Sequence, residues 1–136
     1  MFFEIDINGL VPVYEQIIIQ IKLAIATGSI RAGERIPSVR EQARRLAVNP
    51  NTVARAYREL QQEGMVYSNR GTGLAVADDA AALCQQWRLK YFRDRLASVL
   101  EDALACQLPS SELTELFQTL LEQKTPHNDH NKGETK

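Results

Sequence analysis

The sequence predicts a mainly α-helical chain with a small β-hairpin: a winged helix-turn-helix domain followed by a short α-helical dimerisation region. Three observations predict it. The stretch Arg35–Val76 reads as two short helices, a tight turn between them and a hairpin, in the order of a winged helix-turn-helix. Arginine, asparagine and threonine side chains gather on the sides of those helices opposite their apolar stripes. Beyond this stretch, two amphipathic helices carry wide apolar faces that so short a region cannot bury by itself.

The chain begins with a lead, residues 1–11, in which Phe2, Phe3, Ile5 and Ile7 partly alternate with Glu4 and Asp6. An extended segment packed on the body fits that pattern, with a turn at Asn8-Gly9. Pro12 opens the first long helix, expected to run to about Thr27 and to stop at Gly28. Tyr14, Ile17, Ile18, Ile21 and Ile25 recur at helical spacing and mark its buried face. Ile30 and Ile36 bracket an Arg-Ala-Gly-Glu turn and are expected to plug into the same core.

Ser38 is a suitable N-cap for a helix ending near Leu46, and Ala47-Val48-Asn49 forms the turn after it. Asn49 can cap the next helix, with Pro50 at its first position, where the missing N–H costs nothing. Val53, Tyr57 and Leu60 give that helix an apolar stripe, and Gly64 ends it. Leu46 and Val48 join the stripe in one core with Ile17, Ile21 and Ile25. Met65-Val66-Tyr67 and Leu74-Ala75-Val76 then read as two strands around a Ser-Asn-Arg-Gly-Thr-Gly tip.

Asp78-Asp79 mark a hinge or a helix start. From Ala80 to Cys106 there is neither proline nor glycine, and Leu83, Trp87, Tyr91, Phe92, Leu96, Val99, Leu100 and Leu104 form a broad apolar face. Gln107-Leu108-Pro109 breaks it. Ser110 or Ser111 is expected to cap a last helix through Gln123, with Leu113, Leu116, Phe117, Leu120 and Leu121 on one side. The domains expected are thus 1–77, winged helix-turn-helix; 78–123, a two-helix dimerisation or effector region; and 124–136, a polar, disordered tail.

Charge follows the same division. The net charge of the 136 residues is −1. Residues 31–70 nevertheless hold eight arginines against four glutamates, a local +4, whereas residues 77–136 come to −3. A basic face on an acidic chain is the electrostatic footprint of a nucleic-acid binder. The candidate contacts are Ser38, Arg40 and Arg44 on the first helix, Asn49, Asn51, Thr52 and Arg55 at the start of the second, and Arg70 and Gly71 at the hairpin tip. Asparagine and arginine read base edges; arginine, threonine and helix N-termini hold phosphates. Tyr57 belongs either to this set, through a phosphate contact, or to the core with its hydroxyl at the surface.

The stretch from Pro12 to Val76 resembles the DNA-binding domain of GntR-family bacterial transcription regulators. PVYEQI, GERIPSVRE, VNPNTVARAYREL, EGMV and RGTG carry the resemblance. The short remainder is similar to the YtrA-type subfamily, whose effector region is only a pair of helices. Three departures stand out. Ala47 occupies a turn position where the family often has glycine, at a cost of about 1 kcal/mol if that position needs a positive φ. Gln42 replaces a usual leucine, and Leu74-Ala75 replace a usual Thr-Phe. The resemblance implies that Arg40 reaches the DNA, that the protein is usually a repressor, often of transport-related operons, and that no metabolite is enclosed. An effector, if any, would sit in a shallow site between the C-terminal helices and the winged domain.

A second copy of the chain is the expected cover for the apolar helices, with Trp87, Phe92, Leu96, Leu100, Leu116, Phe117 and Leu120 as the interface. A two-fold dimer would set two recognition helices on an inverted-repeat, double-stranded DNA operator, half-sites about one helical turn apart or a multiple of it. An enzyme is not expected: no glycine-rich phosphate loop follows a strand, and His127 and His130 lie in the tail, where metal binding would be weak. No cofactor, metal or membrane partner is expected. The N-terminus lacks the pattern of a signal peptide, and no apolar run approaches the roughly 20 residues that span a bilayer, so a cytoplasmic protein is expected. Two other readings stay open on the residues: a winged-helix protein-interaction module, and a redox-sensing regulator using Cys84 or Cys106. The operator, the target genes and any effector are not written in the sequence.

Overall fold

The computed structural model describes residues 4–125. Most of the tail, with His127 and His130, lies outside them. Helix α1 (Val13–Thr27) is followed by α2 (Val39–Leu46), α3 (Pro50–Gln62), strands β1 (Val66–Asn69) and β2 (Gly73–Val76), α4 (Ala80–Ala105) and α5 (Ser110–Lys124). The fold is a winged helix-turn-helix followed by two helices. Its Cα packing forms two units, Met1–Phe92 and Arg93–Lys136. The break falls inside α4, because Ala80 and Cys84 are fully buried in the core of the first unit.

Phe2 and Phe3 lie outside the described residues, and residues 4–11 of the lead form no strand. Its backbone turns, with Gly9 N–H donating to the Asp6 carbonyl at 3.2 Å. Buried Gln16 fastens it to α1: its amide nitrogen donates to the carbonyls of Asp6 and Val11, and its oxygen accepts from Asp6 N–H, each at 2.8 Å. Ile5 packs on the core while Ile7 is exposed.

Ile17, Ile21 and Ile25 of α1 meet Val53, Ala56, Tyr57 and Leu60 of α3 in one apolar cluster, with Ile36, Val66 and Val76 closing it. Burying each such aliphatic side chain contributes about 1.5–3 kcal/mol. Leu46, Val48 and Ile30 pack around it, partly buried.

The helix-turn-helix is set by its caps. Ser38 Oγ accepts from Glu41 N–H and the Glu41 carboxylate accepts from Ser38 N–H, both at 3.1 Å, a reciprocal capping box. These hydrogen bonds hold the Glu41 carboxyl below its ordinary pKa. Asn49 Oδ1 accepts from Asn51 N–H at 2.8 Å. Between the caps Ala47 adopts φ 55 and ψ 48, the left-handed conformation that alanine resists.

The hairpin pairs Val66 with Val76 and Asn69 with Gly73, so both strands reach farther toward the tip than their apolar residues indicate. The loop shrinks to Arg70-Gly71-Thr72. A third segment joins the sheet that the sequence pattern did not reveal. Gly33 N–H donates to the Val76 carbonyl (2.8 Å), Val76 N–H to Glu34 (2.9 Å), and Ile36 N–H to Leu74 (2.9 Å), with Arg35 bridged to Ala75. Ala75 is fully buried there, where a larger side chain would have little room.

Helix α5 starts differently from expectation. Pro109 is its N-cap, no side chain caps it, and Ser110 is its first helical residue. The chain reaches it through Gln107, at φ 64.

Candidate nucleic-acid interface

The polar sides of α2 and α3 follow from which sides are buried. On α3 the core takes Val53, Ala56, Tyr57 and Leu60. At 100° per residue, Asn51 then points directly away from the core, and Arg55 and Arg58 flank it on either side. All three are exposed. Thr52 is half-buried beside them. Arg58 is missing from the sequence-derived candidates, although its position three residues beyond Arg55 and seven beyond Asn51 was the available signal. On α2, Arg40, Arg44 and Arg45 are exposed while Gln42 and Ala43 face inward.

Several expected contacts already have intramolecular partners. Ser38 and Asn49 use a side-chain oxygen in the caps, though both residues stay exposed. The Arg55 guanidinium stacks on the Tyr14 ring, 3.8 Å from its centroid. Tyr57 does not join the exposed set. It is buried, and its hydroxyl donates to the Pro37 carbonyl at 2.7 Å, with burial pushing the phenol well above its ordinary pKa. Of the two readings of this side chain, the geometry matches the core, except that the hydroxyl is bonded to backbone and not presented at the surface.

At the wing tip Arg70 and Gly71 are exposed, and Gly71 has φ 69. Thr72 N–H closes the loop on the Asn69 carbonyl at 2.9 Å. Arg35, not among the expected residues, braces it by donating from Nη1 to the Thr72 carbonyl at 3.1 Å.

Gln42, in place of an apolar residue, lies with the buried Gln20 on a cleft of about 550 Å³ between α1 and α2, with Arg45 also on its lining. The amide therefore lies beside other polar groups at the core edge. Within the described residues no set of three or more histidine, cysteine or acidic side chains could hold a metal ion.

The C-terminal helices expose much apolar surface. Phe92, Leu96, Leu100, Leu116, Phe117 and Leu120 are each 41–56% exposed, and no residue of α5 is buried. Trp87 differs from this set: it is half-buried and lies under the Lys22 ammonium, 5.0 Å from the ring centroid. The cysteines differ too. Cys84 is buried, with its thiol 3.5 Å from Met65 Sδ and its pKa raised by desolvation, which disfavours the reactive thiolate. Cys106 is exposed in the turn after α4.

Comparison with known proteins finds relatives of this sequence and fold. Residues 13–76 fit the family model described as bacterial regulatory proteins, gntR family. The HTH-type transcriptional repressor YtrA of Bacillus subtilis (strain 168) is 36% identical over 100 residues, covering 74% of this chain and 77% of that protein. The uncharacterized HTH-type transcriptional regulator YhcF of the same organism is 32% identical over 111 residues, covering 82% and 91%. Among solved structures, a GntR family transcriptional regulator from Listeria monocytogenes superposes with a TM-score of 0.69 at 29% identity, covering 82% of this chain and 97% of that one.

Proposed function

The chain belongs to the bacterial GntR family of regulatory proteins, as a DNA-binding transcription regulator and not an enzyme, and we propose that it is a cytoplasmic repressor that binds an inverted-repeat operator as a homodimer. Helix Pro50–Glu63 enters the major groove, and the wing Tyr67–Val76 reaches the flanking minor groove. One observation carries this reading: Asn51, Arg55 and Arg58 stand exposed on the side of α3 opposite its buried stripe, and the arginines of α2 are exposed as well. Asn51 and Thr52 address base edges or the nearest phosphates, Arg40 and Arg44 the backbone, and the free N–H groups at the start of α3 a phosphate. Ser38 and Asn49 contribute mainly by holding the helix starts in place.

Residues 1–77 serve DNA binding and residues 78–123 serve dimerisation. The support for the dimer is the exposed row Phe92, Leu96, Leu100, Leu116, Phe117 and Leu120, more apolar surface than an isolated chain ordinarily shows. The repressor-named relative supports the direction of regulation.

Selection of bound fragments from a random double-stranded DNA library tests the reading, with sedimentation of the free and bound protein alongside. The expected result is two symmetric half-sites bound by two chains. Retention of unrelated sequences alike, or a single half-site bound by one chain, would overturn it.

A further inference from the structure

Tyr14 sits in the first turn of α1, half-buried, and α1 packs along α3. Its ring face carries the guanidinium of Arg55, 3.8 Å from the centroid. The Tyr14 hydroxyl is turned elsewhere and donates to the Glu15 carboxylate at 3.2 Å. The ring, not the hydroxyl, is therefore the part that meets Arg55.

Stacking occupies the flat face of a guanidinium and leaves its N–H edges outward. It also holds the side chain toward the α1 side of α3, away from the direction in which Asn51 points. A helix lying in a groove meets base edges along its outward line and the phosphate-lined walls along its flanks. An edge-on guanidinium fork matches the two oxygens of a phosphate.

We propose that Tyr14 is a positioning residue for DNA binding: its ring holds the Arg55 guanidinium beside the recognition helix so that it takes a backbone phosphate, not a base edge. This rests on α3 being the recognition helix.

The test is fluorescence anisotropy on the selected operator across a potassium chloride series, with single-base operator variants. Arg55→Ala is expected to weaken binding about ten-fold and to flatten the log–log salt slope by about 1. Tyr14→Leu should weaken it about three-fold through the lost stacking. Tyr14→Phe, which keeps the ring, should restore the parent's affinity and salt slope. The double variant should bind no more weakly than Arg55→Ala, and the ranking of operator variants should stay unchanged throughout.

Full affinity in Tyr14→Leu, additive losses in the double variant, or a preference relaxed at one base pair in Arg55→Ala would each overturn the proposal. Should Tyr14→Leu melt before it can be measured, Arg55→Lys decides, since it keeps the charge but not the flat fork: full affinity there also overturns it. A parent protein that retains no DNA would bring down the functional reading along with it, whereas an intact parent beside an insensitive Tyr14→Leu brings down this proposal alone.

Discussion

Lys22 Nζ lies 2.7 Å from Glu63 Oε1, an ion pair between α1 and the end of α3 in which the lysine is 10% exposed and the glutamate 43%. The same ammonium faces the Trp87 ring of α4. The first half of α4 is thus tied to the winged unit by a charge as well as by the buried Ala80 and Cys84.

The two partners of this pair should not be equivalent. Glu63→Gln leaves a nearly buried cation without its counter-charge and should destabilise by about 1–2 kcal/mol. Lys22→Met leaves Glu63 in contact with water and puts an apolar chain on Trp87, so it should cost less than about 1 kcal/mol. Urea unfolding at neutral pH measures both. A larger loss in Lys22→Met would contradict the desolvation account.

Ala47 occupies left-handed backbone between α2 and α3. Ala47→Gly removes the clash of Cβ with the carbonyl there and should stabilise the protein by about 1 kcal/mol. The midpoint of thermal unfolding should rise. An unchanged or lower midpoint would mean that unfolded-state entropy outweighs the strain.

Tyr57→Phe separates packing from recognition. The variant keeps the buried ring but strands the Pro37 carbonyl, so stability should fall by about 1–2 kcal/mol. Operator affinity of the folded variant should match the parent's. A loss of affinity with normal stability would restore Tyr57 to the DNA-contacting set.

Arg70 should act through groove width. If the wing lies in the minor groove, Arg70→Ala weakens binding and flattens any preference for A·T-rich flanks, where a narrow groove attracts arginine. Binding assays on operators with exchanged flanks check this. Flanks that matter equally in parent and variant would make the wing a structural element only.

Phe117→Asp should yield a folded monomer. The side chain is half exposed in the single chain, so a carboxylate there is tolerated until a second copy must bury it. Sedimentation should give the mass of one chain at concentrations where the parent gives two, with operator affinity lowered in parallel. A dimeric Phe117→Asp would move the interface elsewhere.

The sequence alone determined the element order, the caps at Ser38 and Asn49, the stops at Gly28 and Gly64 and the apolar stripe of α3. Each is a local matter: a side chain bonding its own backbone, a φ only glycine adopts freely, or a periodicity of one helix. The family's motifs are local in the same way. Only the tertiary structure decided the rest, because it depends on partners far along the chain. Arg35 bridges to Ala75 and braces the wing tip, making a third sheet segment from a stretch without strand-like alternation. Tyr57 turns its hydroxyl to Pro37, twenty residues away, and leaves the exposed set. Arg55 lies on Tyr14, and Trp87 lies under Lys22 and not with the exposed leucines. An amphipathic side chain such as tyrosine, arginine or tryptophan can face either water or protein. Periodicity names the helix that carries it, and only packing chooses the face it meets.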